Sequence, residues 1–255
     1  MGVFNSVARD LTIVGFFWLL RPAEYTHSTT PESRSQAFKF RDLYFTIDDT
    51  VYCAPTAPLN ELADVARISA ATLQFSDQKN AVRGEQVSHR PSADPVLCPC
   101  KALGRLALRL KQSGASPTAP IHHHYNSHTN HNKWYHVKAK HITNALRHAA
   151  KSIETTTGIH HSKVSARSLR PGGATALLCA NVDSDAIMLL GRWKSDAMFR
   201  YLRIQAAVHS QEFSQRMLDH GAYTFVPANF ESGGLPQQAP APVAALLAHT
   251  ELYTG

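Results

Sequence analysis

The feature that most constrains this fold is an apolar run from Leu11 to Leu20 that halts at Arg21-Pro22. Apolar residues recur at helical spacing from Val3 onward, which predicts a helix over Val3 to Leu20. Proline biases the residue before it toward extended backbone and so ends the helix there. A bilayer span takes about 20 apolar residues, and this run is shorter and bracketed by Arg9 and Arg21. It lacks a basic segment ahead of it and a small-residue cleavage site behind it, so it does not read as a secretory signal. Met1-Gly2 with Ser6 fits a loose myristoylation pattern that chance often produces, and the residues after it read as a buried helix.

The period then changes. Ala37 to Cys53 alternates roughly every second residue through Phe38, Phe40, Leu43, Phe45 and Ile47, with Asp48-Asp49 as a turn signal. Val65 to Phe75 and Gln86 to His89 read as two more strands joined by a turn around Asn80 to Gly84, giving a small antiparallel sheet. Pro99 to Leu110 carries apolar residues at 103, 106, 107 and 110, a helical face opened by a first-turn proline. From Lys138 helical spacing returns over 138–153, 167–180, 183–191, 196–207 and 209–220, followed by a Pro-, Ala- and Gly-rich arm. There is no internal repeat, and the expected class is α+β, mostly helical.

Charge enters next. Lys plus Arg number 26 and Asp plus Glu 19, leaving +7 and favouring a polyanionic partner. Four cysteines in 255 residues make no disulfide framework, and Cys98-Pro-Cys100 has no second pair to complete a zinc site. The stretch holding His122, His123, His124, His128 and His131 lacks the companion ligands and regular spacing of a dedicated metal site, so it is expected to be a solvated loop.

Four short segments carry possible chemistry. In Leu19-Leu20-Arg21-Pro22-Ala23-Glu24-Tyr25, the arginine taken alone ends a helix beside an acid. In Gln78-Lys79-Asn80, the lysine taken alone sits on an exposed turn. Arg167-Ser168-Leu169-Arg170-Pro171-Gly172-Gly173 opens a helix whose paired glycines permit close backbone approach, either of a packing neighbour or of a phosphate. Gly191-Arg192-Trp193 followed by Phe199-Arg200-Tyr201-Leu202-Arg203 is, alone, a helix with an aromatic and basic face.

In this order the four resemble the tyrosine recombinase (phage integrase) family, and most closely its eukaryotic transposon-borne branch. Members of that branch carry similar LLRPGEY, SLRAGGAT and GRW…RY strings. Leu97-Cys98-Pro99 with Ala102-Leu103 also resembles the stretch after that branch's lysine hairpin. The likeness covers about residues 10 to 205, with about thirty residues between Arg170 and Tyr201. It implies a DNA breaking-rejoining catalytic domain over residues 1–220, with no helical core-binding domain ahead of it and an irregular tail over 221–255.

The resemblance implies Tyr201 as nucleophile, forming a 3′-phosphotyrosyl bond and freeing a 5′-hydroxyl. It makes Arg21 and Arg170 the phosphate clamp, Lys79 the general acid for the departing 5′-oxygen, and Trp193 a donor to a phosphate oxygen. The chemistry agrees. A five-coordinate phosphoryl transition state gains negative charge, and without metal it calls for fixed cations, to which the guanidinium fork is suited. A phenol with a pKa of about 10 needs such a pocket to become a nucleophile. The ester keeps the bond energy, so rejoining needs no ATP, and no cofactor or metal is implied. The implied partners are double-stranded DNA and further copies of the chain, a tetramer on two duplexes, with no membrane. The location would be nuclear in a eukaryote and cytoplasmic otherwise.

Two departures matter. The family commonly has histidine where Arg167 stands, and arginine cannot accept the tyrosine proton, though it can add a cation to the clamp. His160, His161 and Lys163 lie near it in sequence as substitutes. The interval from Trp193 to Tyr201 is about one residue shorter than in many bacterial members. The alternative reading is therefore a catalytically weak DNA-binding remnant; a type IB topoisomerase shares the chemistry but fits the local wording less well.

Overall fold

A computed structural model describes residues 3–28, 35–78, 83–126, 133–180 and 182–194, all within one unit. The expected α+β class holds. In chain order come α1 (Val3–Phe17), α2 (Pro22–Tyr25), β1 (Leu43–Ile47), β2 (Thr50–Cys53), α3 (Leu59–Ala63), β3 (Ile68–Gln74) and β4 (Gln86–His89). Then follow α4 (Pro99–Gln112), β5 (His123–Asn126), β6 (Lys133–His136), α5 (Ala139–Ser152), α6 (Glu154–Thr157), α7 (Leu169–Cys179) and α8 (Ser184–Gly191). The two helices expected beyond 195, and the tail, lie outside the described residues.

The four-stranded antiparallel sheet runs in the order β2-β1-β3-β4. Its β1 strand alternates buried and half-buried residues, the period-2 signature read from the sequence. Asp48 and Asp49 form the β1–β2 turn with φ of 45° and 63°, the left-handed pair that a two-residue hairpin of matching twist requires. The part of the 37–53 stretch ahead of Leu43 is not strand, because Phe40–Asp42 form a 3-10 turn closed by Asp42 on the Lys39 amide. One face of the sheet carries Leu43, Phe45, Ile47, Ala71, Leu73 and Val87 into the core.

Helix α1 is the central strut, packing on α4, α5 and α7. Asp10, fully buried on it, binds two arginines of α4: Arg105 Nη2 at 2.6 Å and Nε at 3.0 Å on Oδ1, and Arg109 Nη1 at 2.7 Å from Oδ2. The Arg109 contact is an ion pair without an aligned hydrogen bond. The helix stops at Phe17, short of the expected Leu20, because Leu19 turns left-handed at φ 50°. Leu20 N–H then reaches back to Gly15 O (2.9 Å) and Leu19 N–H to Phe16 O (3.3 Å), the paired bonds of a Schellman end. Trp18 Nε1 donates to Val87 O at 2.9 Å and ties this end to β4.

The histidine stretch departs from expectation. His123–Asn126 and Lys133–His136 pair antiparallel in the register His123↔His136, and His122 and His124 are buried, so this part is not a solvated loop. Its aromatic and imidazole rings stack across the pair: His124 on Tyr135 at 5.4 Å and Tyr125 against Trp134 at 5.4 Å. His128 and His131 lie outside the described residues.

Candidate functional site

A left-handed leucine at the end of a helix costs about 1–2 kcal/mol, and here it aims a carbonyl at two arginines. Leu19 O accepts from Arg170 Nη1 at 3.1 Å and from Arg192 Nη2 at 3.3 Å. The Leu19 side chain is pinned beneath α7: a Cβ on Gly173 would lie 2.4 Å from Leu19 Cδ2 and 2.5 Å from Phe16 O. Gly173 is therefore a packing glycine. At Gly172 a Cβ would find only Phe16 Cε2, at 3.8 Å.

Helix α8 ends the same way. Arg192 is left-handed at φ 56°, with Trp193 N–H on Met188 O and Arg192 N–H on Leu189 O, both at 3.0 Å. This reversal folds the Trp193 ring over Gly191, where any Cβ would collide with it. The ring then carries Arg170 Cζ at 4.3 Å from its centroid, a cation–π contact. Arg170 Nη2 also donates to Gly191 O. Arg170 sits on the first turn of α7, yet its guanidinium lies against the C-terminal ends of α1 and α8, where the helix dipoles favour a cation.

Arg21 caps α2 in extended backbone, as the following proline requires. Its Nη1 meets Glu24 Oε1 at 3.0 Å, and its amide donates to Oε2 at 2.8 Å. The helix-ending arginine beside an acid is thus present. Glu24 is fully buried and also faces Arg192 Nη2 at 3.5 Å, so one carboxylate serves two guanidiniums. The Arg21 side chain stays 26% exposed, whereas Arg170 and Arg192 are 7% and 5% exposed as residues.

Arg192 is the member that sequence reading missed. Burial pushes its guanidinium down to about 10; Arg21 also lowers it, while Glu24 and Glu85 hold it up. It remains a cation at neutral pH, lying 4.0 Å from the Phe75 ring centre and donating to Leu190 O at 2.8 Å. Its place inside the Gly191-Arg192-Trp193 string was the available signal. Its reach toward Glu24 and Leu19 depends on a left-handed turn that no residue there announces.

Arg21, Arg170 and Trp193 are therefore brought together through Leu19, Glu24 and Arg192. Arg167 is exposed on the 3-10 turn Ala166–Ser168, which Tyr25 fixes by donating its hydroxyl to Ala166 O at 3.1 Å. His160 and His161 stack on each other at 4.5 Å and turn to Glu154, whose Oε2 lies 2.6 Å from His161 Nδ1. These contacts are local and spend both rings on the α6 turn. Lys79 and Tyr201 lie outside the described residues. The residue before Lys79 is held: Gln78 is buried, accepts the amides of Ser76 and Asp77 at 2.9 and 3.1 Å, and donates to Gln36 O at 3.3 Å.

The paired cysteines are free and buried, with Cys100 donating to His89 O at 3.1 Å and its thiol pushed up to about 12 by burial. That describes an inert core thiol. Among the described residues no helix is long and apolar enough to cross a membrane. No protein-family model, curated protein or solved structure matches this chain.

Proposed function

We propose that this chain is a tyrosine recombinase catalytic domain from a mobile element, cleaving and rejoining double-stranded DNA through Tyr201. The observation that carries the reading is the cationic cluster at the end of α1. Arg21, Arg170 and Trp193 come from three distant segments, and all three belong to the strings that resemble the family. Guanidiniums set against helix ends and aromatic faces are suited to stabilising a charged phosphoryl transition state.

In the reaction, the Tyr201 oxygen attacks phosphorus and the bond to the 5′-oxygen breaks. The phenolic proton leaves to a base, and Lys79 protonates the departing 5′-oxygen. Reversal by a 5′-hydroxyl restores the phosphodiester and frees the tyrosine, so the cycle is balanced without ATP. Arg21, the most accessible of the three arginines, is the member of the clamp placed to meet phosphate first.

A second reading, a DNA-binding remnant with little turnover, is favoured by one observation. The Arg170 guanidinium is buried and already bonded to the carbonyls of Leu19 and Gly191. Phosphate would have to share or displace those bonds. The test uses a pool of nicked duplexes of randomised sequence that trap the covalent intermediate. A phenol-resistant protein–DNA adduct with the wild type, absent in Tyr201→Phe, is the expected result. Salt-sensitive binding with no adduct from either protein leaves the remnant reading instead.

A further inference from the structure

A second cluster of basic side chains forms where the segment after α2, the turn before β5 and the end of β6 run side by side. Val137 is their common backbone station. It accepts from the His27 amide at 2.8 Å, donates to His122 O at 3.1 Å, and directly follows His136. Three imidazoles consequently face one another: His27 stacks on His136 at 4.7 Å, and His122 lies 5.5 Å from His27 and 5.6 Å from His136. One nitrogen from each comes within 4.8 Å of the other two.

We propose that His27, His122 and His136 bind one divalent transition-metal ion of the zinc class. Three nitrogen donors are a known zinc complement, and Zn–N bonds of about 2.1 Å place tetrahedral ligand atoms roughly 3.4 Å apart. The present spacing closes to that by modest ring movements. The backbone bonds through Val137 hold the three stations while the rings turn.

Two further observations point to a ligand. Nδ1 of His122 and Nδ1 of His136 are buried and have no hydrogen-bond partner among the described residues. Such nitrogens are costly to leave unmet. His27 and His122 also form part of the wall of a cleft of about 270 Å³, shared with Thr26, Ser35 and Lys39. That is ample for a water as fourth ligand, which occupies about 30 Å³. The Lys39 ammonium on this wall is held by Asp77 at 2.6 Å. The ion would staple the chain that leaves α2 to the β5–β6 pair, and the phosphoryl-transfer step proposed above does not use it.

The experiment uses the full chain, without an affinity tag of histidines, stripped with chelator and titrated with zinc chloride against a competing chelator. One zinc per chain is expected, with a raised unfolding midpoint. His27→Gln and His136→Gln should each weaken binding at least about tenfold, since loss of a group that merely hydrogen-bonds a ligand already costs that much. His160→Gln/His161→Gln, in the exposed cluster around Glu154, should bind as the wild type does. Cobalt in the wild type should give the intense visible bands of a tetrahedral site, a readout independent of whether the variants fold. Unchanged zinc affinity in both His27→Gln and His136→Gln, or a weak octahedral cobalt spectrum, would overturn the assignment.

Discussion

Two buried carboxylates on or beside α1 each meet more than one arginine, yet they are built differently. Asp10 holds Arg105 and Arg109 of one partner helix at 2.6 to 3.0 Å, with its chain neighbour Arg9 at 3.4 Å. Glu24 holds Arg21 at 3.0 Å and Arg192 at 3.5 Å, with Arg170 gathered nearby on backbone carbonyls and the Trp193 ring. The first centre spends its charge on joining two helices. The second holds guanidiniums on helix-end carbonyls and an aromatic ring as well as on its carboxylate. Burial of an arginine–carboxylate pair is thus not itself a sign of function; what sets the Glu24 centre apart is guanidiniums held by helix-end carbonyls.

The largest expected effect strikes the structural centre. Asp10→Ala strands two arginines and should cost about 3–5 kcal/mol in denaturant unfolding, with DNA affinity per folded molecule unchanged. Gly173→Ala should cost about 1–3 kcal/mol by driving α7 off Leu19 and Phe16 O. Gly172→Ala, whose Cβ would make only an ordinary contact with Phe16 Cε2 at 3.8 Å, should be neutral or stabilising by up to about 1 kcal/mol. Equal effects at the two glycines would break the account of how Leu19 is pinned.

The comparison is sharpened by pH. Arg192 titrates near 10, far above the neutral range. By contrast, burial lowers His122 to about 3 and His89 to about 4, against an unfolded value near 6.5. Between those limits the unfolded chain binds protons that the folded chain does not. Stability should therefore be level above about pH 6.5 and fall below it, at up to about 1.4 kcal/mol per pH unit for each such histidine. Urea midpoints at pH 7.5, 6 and 5 check this. A midpoint that stays constant to pH 5 would mean these rings are not buried neutral. A modest loss is expected from Tyr25→Phe, which removes the bond to Ala166 O and should cost about 1 kcal/mol.

Much of the fold was legible because it rests on period and punctuation. The Asp48-Asp49 turn, the Pro99 helix start and the alternation of β1 are local signals, and each is met in the structure. Two features were not legible. The left-handed ends at Leu19 and Arg192 occur at residues that rarely adopt that geometry, and only tertiary bonds make them worthwhile. The β5–β6 pair was obscured because its strands are built of histidine, read as composition when the ring pairs were the informative pattern. At the candidate site, the strings marked Arg21, Arg170 and Trp193, while Arg192 emerged only from packing.

The claim that the Glu24 centre is a phosphate clamp is tested most directly at Arg21, whose side chain is exposed enough to remove without hollowing the core. Single-turnover adduct formation by Arg21→Ala on the nicked duplex pool, measured beside DNA affinity, should fall by at least about a hundredfold while affinity changes only a few-fold. Adduct formation at the wild-type rate would contradict the clamp and return this arginine to its plain role, a helix-ending partner of Glu24.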